Sequence, residues 1–183
     1  VQALAASLQV NRSALEAHEL LVERVAKYMC QAGRLTWRRL SLRANVDGVW
    51  TVYRPDVFSI RSTSVEAYAE PVVHEIKVRR ADLLADLRQI AKGAAYLGTA
   101  CQCWYVLKAG IAEPQEIPPQ YGVMLADDVA IEVARPAPHR AMNVPFATWM
   151  ALARCGADPF HRPEQLMLCA EEGFDLVPDV HDD

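Results

Sequence analysis

The sequence predicts an α/β protein, a mixed sheet packed by helices in the order α-β-β-β-α-β with further β and α additions. Three observations carry this expectation. Apolar residues recur at helical spacing in two stretches, near residues 13–30 and 81–97. Between them, residues 34–78 are rich in Val, Ile, Trp, Tyr and Phe and are punctuated by turn signals. A continuous apolar run from Cys101 to Leu107 then suits a strand buried on both faces.

In chain order, Ser13-x-x-Glu16 reads as a capping box that starts a helix running to about Cys30. Leu15, His18, Leu21, Val22, Val25 and Met29 should face the core, with Glu16, Glu19, Glu23 and Lys27 on the other side. Gly33 suits the stop. Leu35-Thr36-Trp37 and Leu40-Ser41-Leu42 suggest a first strand, Asn45 to Gly48 a turn, and Val49 to Ile60 a second strand. Pro55 removes a ladder donor, so that strand is an edge or is bulged there. After a polar connection, Val72 to Val78 forms the third strand.

Ala81 to Leu97 reads as one amphipathic helix. Leu83, Leu84, Leu87, Ile90, Ala91, Ala94 and Leu97 fill one arc, and Arg88, Lys92 and Tyr96 form a stripe on the opposite one. Downstream lie a Pro-rich loop (Glu113 to Gln120) and strands at Tyr121 to Leu125 and Val129 to Ala134. A short helix follows from Pro145 to Arg154, and a weaker one over Pro163 to Glu172. The acidic end, Asp179 to Asp183, reads as disordered. Residues 1–154 are expected to form a single domain and 155–183 a C-terminal extension.

The chain has 183 residues, enough for one core, with 52% hydrophobic and 23% charged residues. No apolar stretch approaches the roughly 18 residues of a membrane span, and Val1 to Val10 lacks the pattern of a signal peptide. Cytoplasmic location is the expectation, without membrane association. Five scattered cysteines argue for reduced thiols, and Cys101-x-Cys103 lacks the second pair that structural zinc requires. The net charge of −4 is unevenly spread: net +4 over residues 34–92 and net −8 over residues 93–183. The positive surplus suits a phosphate-binding surface, and a merely solubilising pattern is the alternative.

That basic segment holds the chemistry. Pro55-Asp56 is followed by Glu75-Ile76-Lys77 inside a β-branched run. Residues i and i+2 of a strand share a face, so Glu75 and Lys77 project together. Pairing with the strand that carries Asp56 would bring two carboxylates and an ammonium to one place. Hard oxygen anions beside a lysine suit Mg²⁺- or Mn²⁺-assisted attack on a phosphodiester. The expected metal donors are Asp56, Glu75 and the Ile76 carbonyl, completed by Glu23 or Glu19 of the first helix. Lys77 would orient or deprotonate the attacking water, with its pKa lowered by burial and a nearby cation. Arg38, Arg39, Arg79 and Arg80 are candidate contacts to duplex or branched DNA. Arg88, Lys92 and Tyr96 would either touch phosphate or support the site. Against each stands a plain surface role, including a simple Glu75–Lys77 pair.

These residues resemble the PD-(D/E)XK nuclease superfamily. More narrowly, Arg54-Pro55-Asp56, Glu75-Ile76-Lys77 and the Ala81-Asp82 … Asp86 … Lys92 … Tyr96 segment resemble the bacterial MmcB-like family of DNA-repair proteins. Gly122 to Asp127 fits as well. The resemblance spans roughly residues 15–154. It implies a restriction-endonuclease-like fold, a divalent metal at Asp56 and Glu75, catalysis by Asp56, Glu75 and Lys77, and a deoxyribonuclease acting in DNA repair or processing. Some members of the superfamily are not catalytic. The competing expectations are therefore an inactive nucleic-acid-binding module and an acidic interaction protein with no nucleic-acid role. Oligomeric state stays open, with a homodimer among the options.

Overall fold

The computed structural model describes residues 2–156. The weaker helix and the disordered end expected beyond Pro163 lie outside them. Helix α1 (Gln2–Gln31) leads into strands β1 (Arg34–Arg38), β2 (Leu42–Val46), β3 (Val49–Tyr53), β4 (Val57–Arg61) and β5 (Val72–Lys77). Helices α2 (Arg80–Leu87) and α3 (Ile90–Leu97) follow, then β6 (Gln102–Lys108), β7 (Gly122–Ala126), β8 (Ile131–Arg135) and α4 (Phe146–Arg154). The α/β expectation holds. Six strands form a mixed sheet in the order β1-β4-β5-β6-β7-β8, with parallel pairing at β5–β6 and β6–β7 and antiparallel pairing elsewhere. β2 and β3 pair separately as a hairpin.

Helix α1 starts well before Ser13. The upstream residues contain three alanines and neither Gly nor Pro, so nothing there stops a helix from extending. Leu15, expected in the core, is mostly exposed, whereas Leu21, Val22, Val25, Ala26 and Met29 are buried. Four of these pack on Val57, Val72, Ile76 and Val106, so α1 covers one face of the sheet.

The other face holds Val73, Tyr105 and Leu107, beneath Leu83, Ala95, Tyr96, Leu152 and the inner side of the hairpin. β5 is buried along its whole length, so its alternation sorts residues between two cores rather than between core and water. Val72, His74 and Ile76 turn toward α1; Val73, Glu75 and Lys77 turn toward α2 and α3.

Two expected strands divide. Arg39 adopts a left-handed φ of 55° and separates β1 from β2. Pro55 separates β3 from β4, as a residue without an amide donor does. The hairpin is thus inserted between β1 and β4, which remain neighbours, and the Arg39 N–H donates to the Asp56 carbonyl at 3.1 Å across its base. The long helix expected over residues 81–97 also divides, at Arg88 and Gln89. Ile90, expected in its apolar arc, is exposed, while Asp86 and Tyr96 from the expected polar arc are buried.

Cys30, Cys101 and Cys103 are buried free thiols and Cys155 is an exposed one. Among the described residues, no helix is long and apolar enough to cross a membrane.

Candidate functional site

The ladder between β4 and β5 ends at the pair Val57–His74. One residue before β4, Asp56 takes over from the missing ladder partner: its Oδ2 accepts the Ile76 N–H at 2.8 Å. A buried amide that loses its ladder partner must find another acceptor, and the side chain after Pro55 supplies it. The same oxygen lies 3.3 Å from Nε2 of His18 on α1. Folding therefore places the Asp56 carboxylate against the Glu75–Ile76 peptide.

Glu75 is only 4% exposed and fully engaged. Its Oε1 accepts from Lys77 Nζ and Lys92 Nζ, each at 2.7 Å, and its Oε2 accepts from the Tyr96 hydroxyl at 2.6 Å. A second buried carboxylate, Asp86, closes the cluster. It lies 2.5 Å from Lys92 Nζ and 3.3 Å from Lys77 Nζ, and accepts from the Tyr105 hydroxyl at 2.8 Å. Two carboxylates and two ammonium groups thus balance inside the sheet–helix interface, which is how buried charge becomes tolerable. Burial alone would raise the Asp86 carboxyl, but Lys77, Lys92 and the Tyr105 hydroxyl outweigh it and hold it below its usual range. Lys92 is raised, because Glu75 and Asp86 outweigh its desolvation. Burial and the nearby acids push both tyrosine hydroxyls far upward, so they act as donors.

His18 is raised, chiefly by its contact with Asp56 against the opposing effect of burial, with Glu19 adding to it. It also lines a groove of about 460 Å³ together with Ile76, Lys77, Arg79 and Asn11. Lys77 therefore touches the buried cluster at one side and an open groove at the other.

The expected residues separate into two groups. Glu75, Lys77, Lys92 and Tyr96 form one cluster, and Asp56 meets the Ile76 N–H and His18 beside it. Tyr96 is buried edge-on against Tyr53, with ring centroids 5.4 Å apart, so it supports Glu75 and does not face a ligand. Ile76 contributes its N–H to Asp56. Glu23 instead pairs with Lys27 at 2.7 Å, and the group that α1 brings to Asp56 is His18. Five residues turn Glu23 about 140° around α1 from His18, and it lines a different groove with Arg24 and Asp127.

The expected nucleic-acid arginines are mostly engaged within the chain. Arg39 pairs with Glu19, and Arg79 donates to Asn11 at 2.9 Å. Arg80 forms a two-pronged contact with Glu116, at 3.0 and 2.6 Å. Arg38 and Arg88 are exposed.

His18, Asp86 and Tyr105 are the contributors that sequence reading missed. His18 lay on the core-facing arc, so its direction was legible and its partner was not. Asp86 and Lys92 are six residues apart, about 120° around an unbroken helix. Only the break at Arg88–Gln89 lets both reach one cluster.

Among the described residues, no group of three or more His, Cys, Asp or Glu side chains could hold a metal ion. The donor chemistry of Asp56 and Glu75 still fits a hard cation that keeps most of its water, which needs only one or two carboxylates. Such an ion would have to displace an ammonium group from Glu75 Oε1.

No family model matches the chain, and no curated protein matches it. One solved structure does: a protein of unknown function, SPO1766, from Silicibacter pomeroyi, at 21% identity and a TM-score of 0.49, covering 86% of this chain and 90% of that one.

Proposed function

We propose that this chain has a restriction-endonuclease-like core and is a divalent-metal-dependent deoxyribonuclease that hydrolyses DNA phosphodiester bonds in repair or processing. The single observation that carries the reading is the Asp56 carboxylate seated on the Ile76 amide, between Glu75 and Lys77. The order of elements supports it as well, because α1 and the α2–α3 pair flank the strand that bears Glu75 and Lys77.

Asp56 and Glu75 would hold Mg²⁺ or Mn²⁺, which when bound lowers the pKa of a coordinated water and offsets charge on the phosphoryl oxygens. Lys77 is fixed by Glu75 and Asp86 and borders the groove, where it can donate to a phosphoryl oxygen or orient the attacking water. On the same groove Lys77, Arg79 and His18 face a single carboxylate, Asp82, and that balance favours an anionic substrate. Tyr96 and Lys92 hold Glu75 in one rotamer.

The test is cleavage of single-stranded, duplex and branched DNA by the full chain, with Mg²⁺, Mn²⁺ or EDTA. Metal-dependent cleavage is expected, with Lys77→Ala reducing the rate by at least about a hundredfold while the fold persists. Unchanged turnover in that variant removes Lys77 from the chemistry.

The saturated hydrogen bonding of Glu75 favours a second reading, a nucleic-acid-binding module without catalysis. It is the answer if DNA binds in a salt-sensitive manner and no metal supports cleavage.

A further inference from the structure

The hairpin of β2 and β3 presents two different faces. Inward, Leu42, Ala44 and Tyr53 are buried under α3 and α4. Outward, three rungs follow one another along the ribbon: Asn45 opposite Trp50, Arg43 opposite Val52, and beyond them Ser41 with Arg54, whose Nε donates to the serine hydroxyl at 3.2 Å. Trp50 is 64% exposed and Val52 beside it 63%, whereas Tyr53, the ribbon's other aromatic residue, is buried. The three rungs carry two guanidinium groups and no carboxylate; Asp47 sits in the turn at the tip.

We propose that this outer face is a binding site for a single nucleic-acid strand, with Trp50 stacking on an unpaired base and Arg43 and Arg54 holding phosphates. The proposal deepens the deoxyribonuclease reading and rests on it for the kind of strand bound.

Charge and shape select this occupant. Cations on neighbouring rungs of the ribbon complement the repeating charge of a phosphodiester chain, and a flat exposed indole offers the stacking surface that such sites use. In an intact duplex the base faces are already stacked on one another, so the indole needs an unpaired base. A bilayer is disfavoured, because the Asp47 carboxylate at the tip would enter first. Direction matters too. From Trp50 to Arg54 the ribbon rises about 13 Å, and the chain reaches Asp56 two residues later. A strand held on this face is led toward the carboxylate at the candidate site.

The experiment is fluorescence anisotropy of a labelled single-stranded oligonucleotide titrated with the full chain in EDTA at low salt, where cleavage cannot interfere. Trp50→Ala should weaken binding by about tenfold or more, Trp50→Phe should restore most of it, and Arg43→Glu should weaken it by a similar factor. The melting temperature of each variant should match the parent, because both side chains point to solvent. Arg43→Glu keeps the test decisive if Trp50→Ala disturbs the hairpin.

Parental affinity in both Trp50→Ala and Arg43→Glu overturns the proposal, as does tighter binding of a blunt duplex that both variants retain. So does a blue shift of Trp50 emission with anionic phosphatidylserine vesicles but not with DNA, or a concentration-dependent dimer that the variants abolish. The two readings fail separately. Binding that depends on Trp50, without any metal-supported cleavage, leaves the ribbon site standing and removes the nuclease. Cleavage that is normal in Trp50→Ala, with unchanged binding, does the reverse.

Discussion

Replacing Asp86 by Asn tests whether the buried charge cluster holds the site together. The substitution keeps the side-chain shape and removes one of two carboxylates that balance Lys77 and Lys92. Breaking a buried ion pair costs about 3–5 kcal/mol when the partner charge is left uncompensated. Here both ammonium groups keep Glu75, which argues for the lower end. The amide has one oxygen, which the ammonium groups keep, so the Tyr105 hydroxyl faces the NH2 group and can only accept from it. The expected cost is about 3 kcal/mol, or a melting temperature lowered by roughly 6–12 °C for a chain of this size. Urea unfolding at pH 7 measures it, with the exposed Asp128→Asn as a control that should stay within about 0.5 kcal/mol. The pH dependence adds a second signature. The Asp86 carboxyl is depressed in the folded chain, so its stabilisation is complete above the ordinary carboxylate range and is lost as pH falls through the folded value. The gap between parent and variant should therefore close below about pH 4. A variant within about 1 kcal/mol of the parent at pH 7, with an unchanged denaturant slope, refutes the idea that this cluster is a cooperative unit.

His74 is 1% exposed and stacks on Trp104, and burial, with the Arg34 charge adding to it, pulls its pKa down to about 3. The unfolded chain takes up a proton below about pH 6.5 that the folded chain refuses, so stability should fall by about 1.4 kcal/mol per pH unit from there toward pH 3. Urea midpoints between pH 6.5 and 4.5 should show that slope in the parent and a shallower one in His74→Phe. Tyr96→Phe removes the donor to Glu75 Oε2 in a site closed to water, and calorimetry should find it destabilised by about 1–3 kcal/mol. At Gly122 an added Cβ would meet the Trp104 ring at 2.4 Å and the Ala137 backbone nitrogen at 2.7 Å. Gly122→Ala should therefore cost at least about 2 kcal/mol, read as a lower melting temperature.

Much of the architecture was legible because apolar periodicity is a local property. β5, β6, β7 and α4 lie within a residue or two of where Val72 to Val78, Cys101 to Leu107, Tyr121 to Leu125 and Pro145 to Arg154 placed them. Some errors were local, as at the start of α1, and others came from tertiary contacts that override local pattern. A continuous apolar arc from Leu83 to Leu97 gives no warning of a break at Gln89, and it is across that break that Asp86 meets Lys77 while Lys92 meets Glu75 and Asp86. Likewise the run from Val49 to Ile60 is uniformly β-like, and only Pro55 hints that its halves join different sheets. For the site, the shared face of Glu75 and Lys77 follows from strand alternation, whereas Asp56 meets this segment at the Ile76 N–H. His18 reaching Asp56 depends on how α1 crosses the sheet, which no spacing encodes.

The hairpin is one layer thick, so its two faces share a backbone. Tyr53, on the inner face, rests edge-on against the ring whose hydroxyl grips Glu75, while Trp50 stands on the outer face three residues away. A tilt imposed from outside would shift the Tyr53 ring and loosen the grip on that acid. The thin ribbon thus stands between water and the buried acid, one ring removed from the carboxylate through Tyr96.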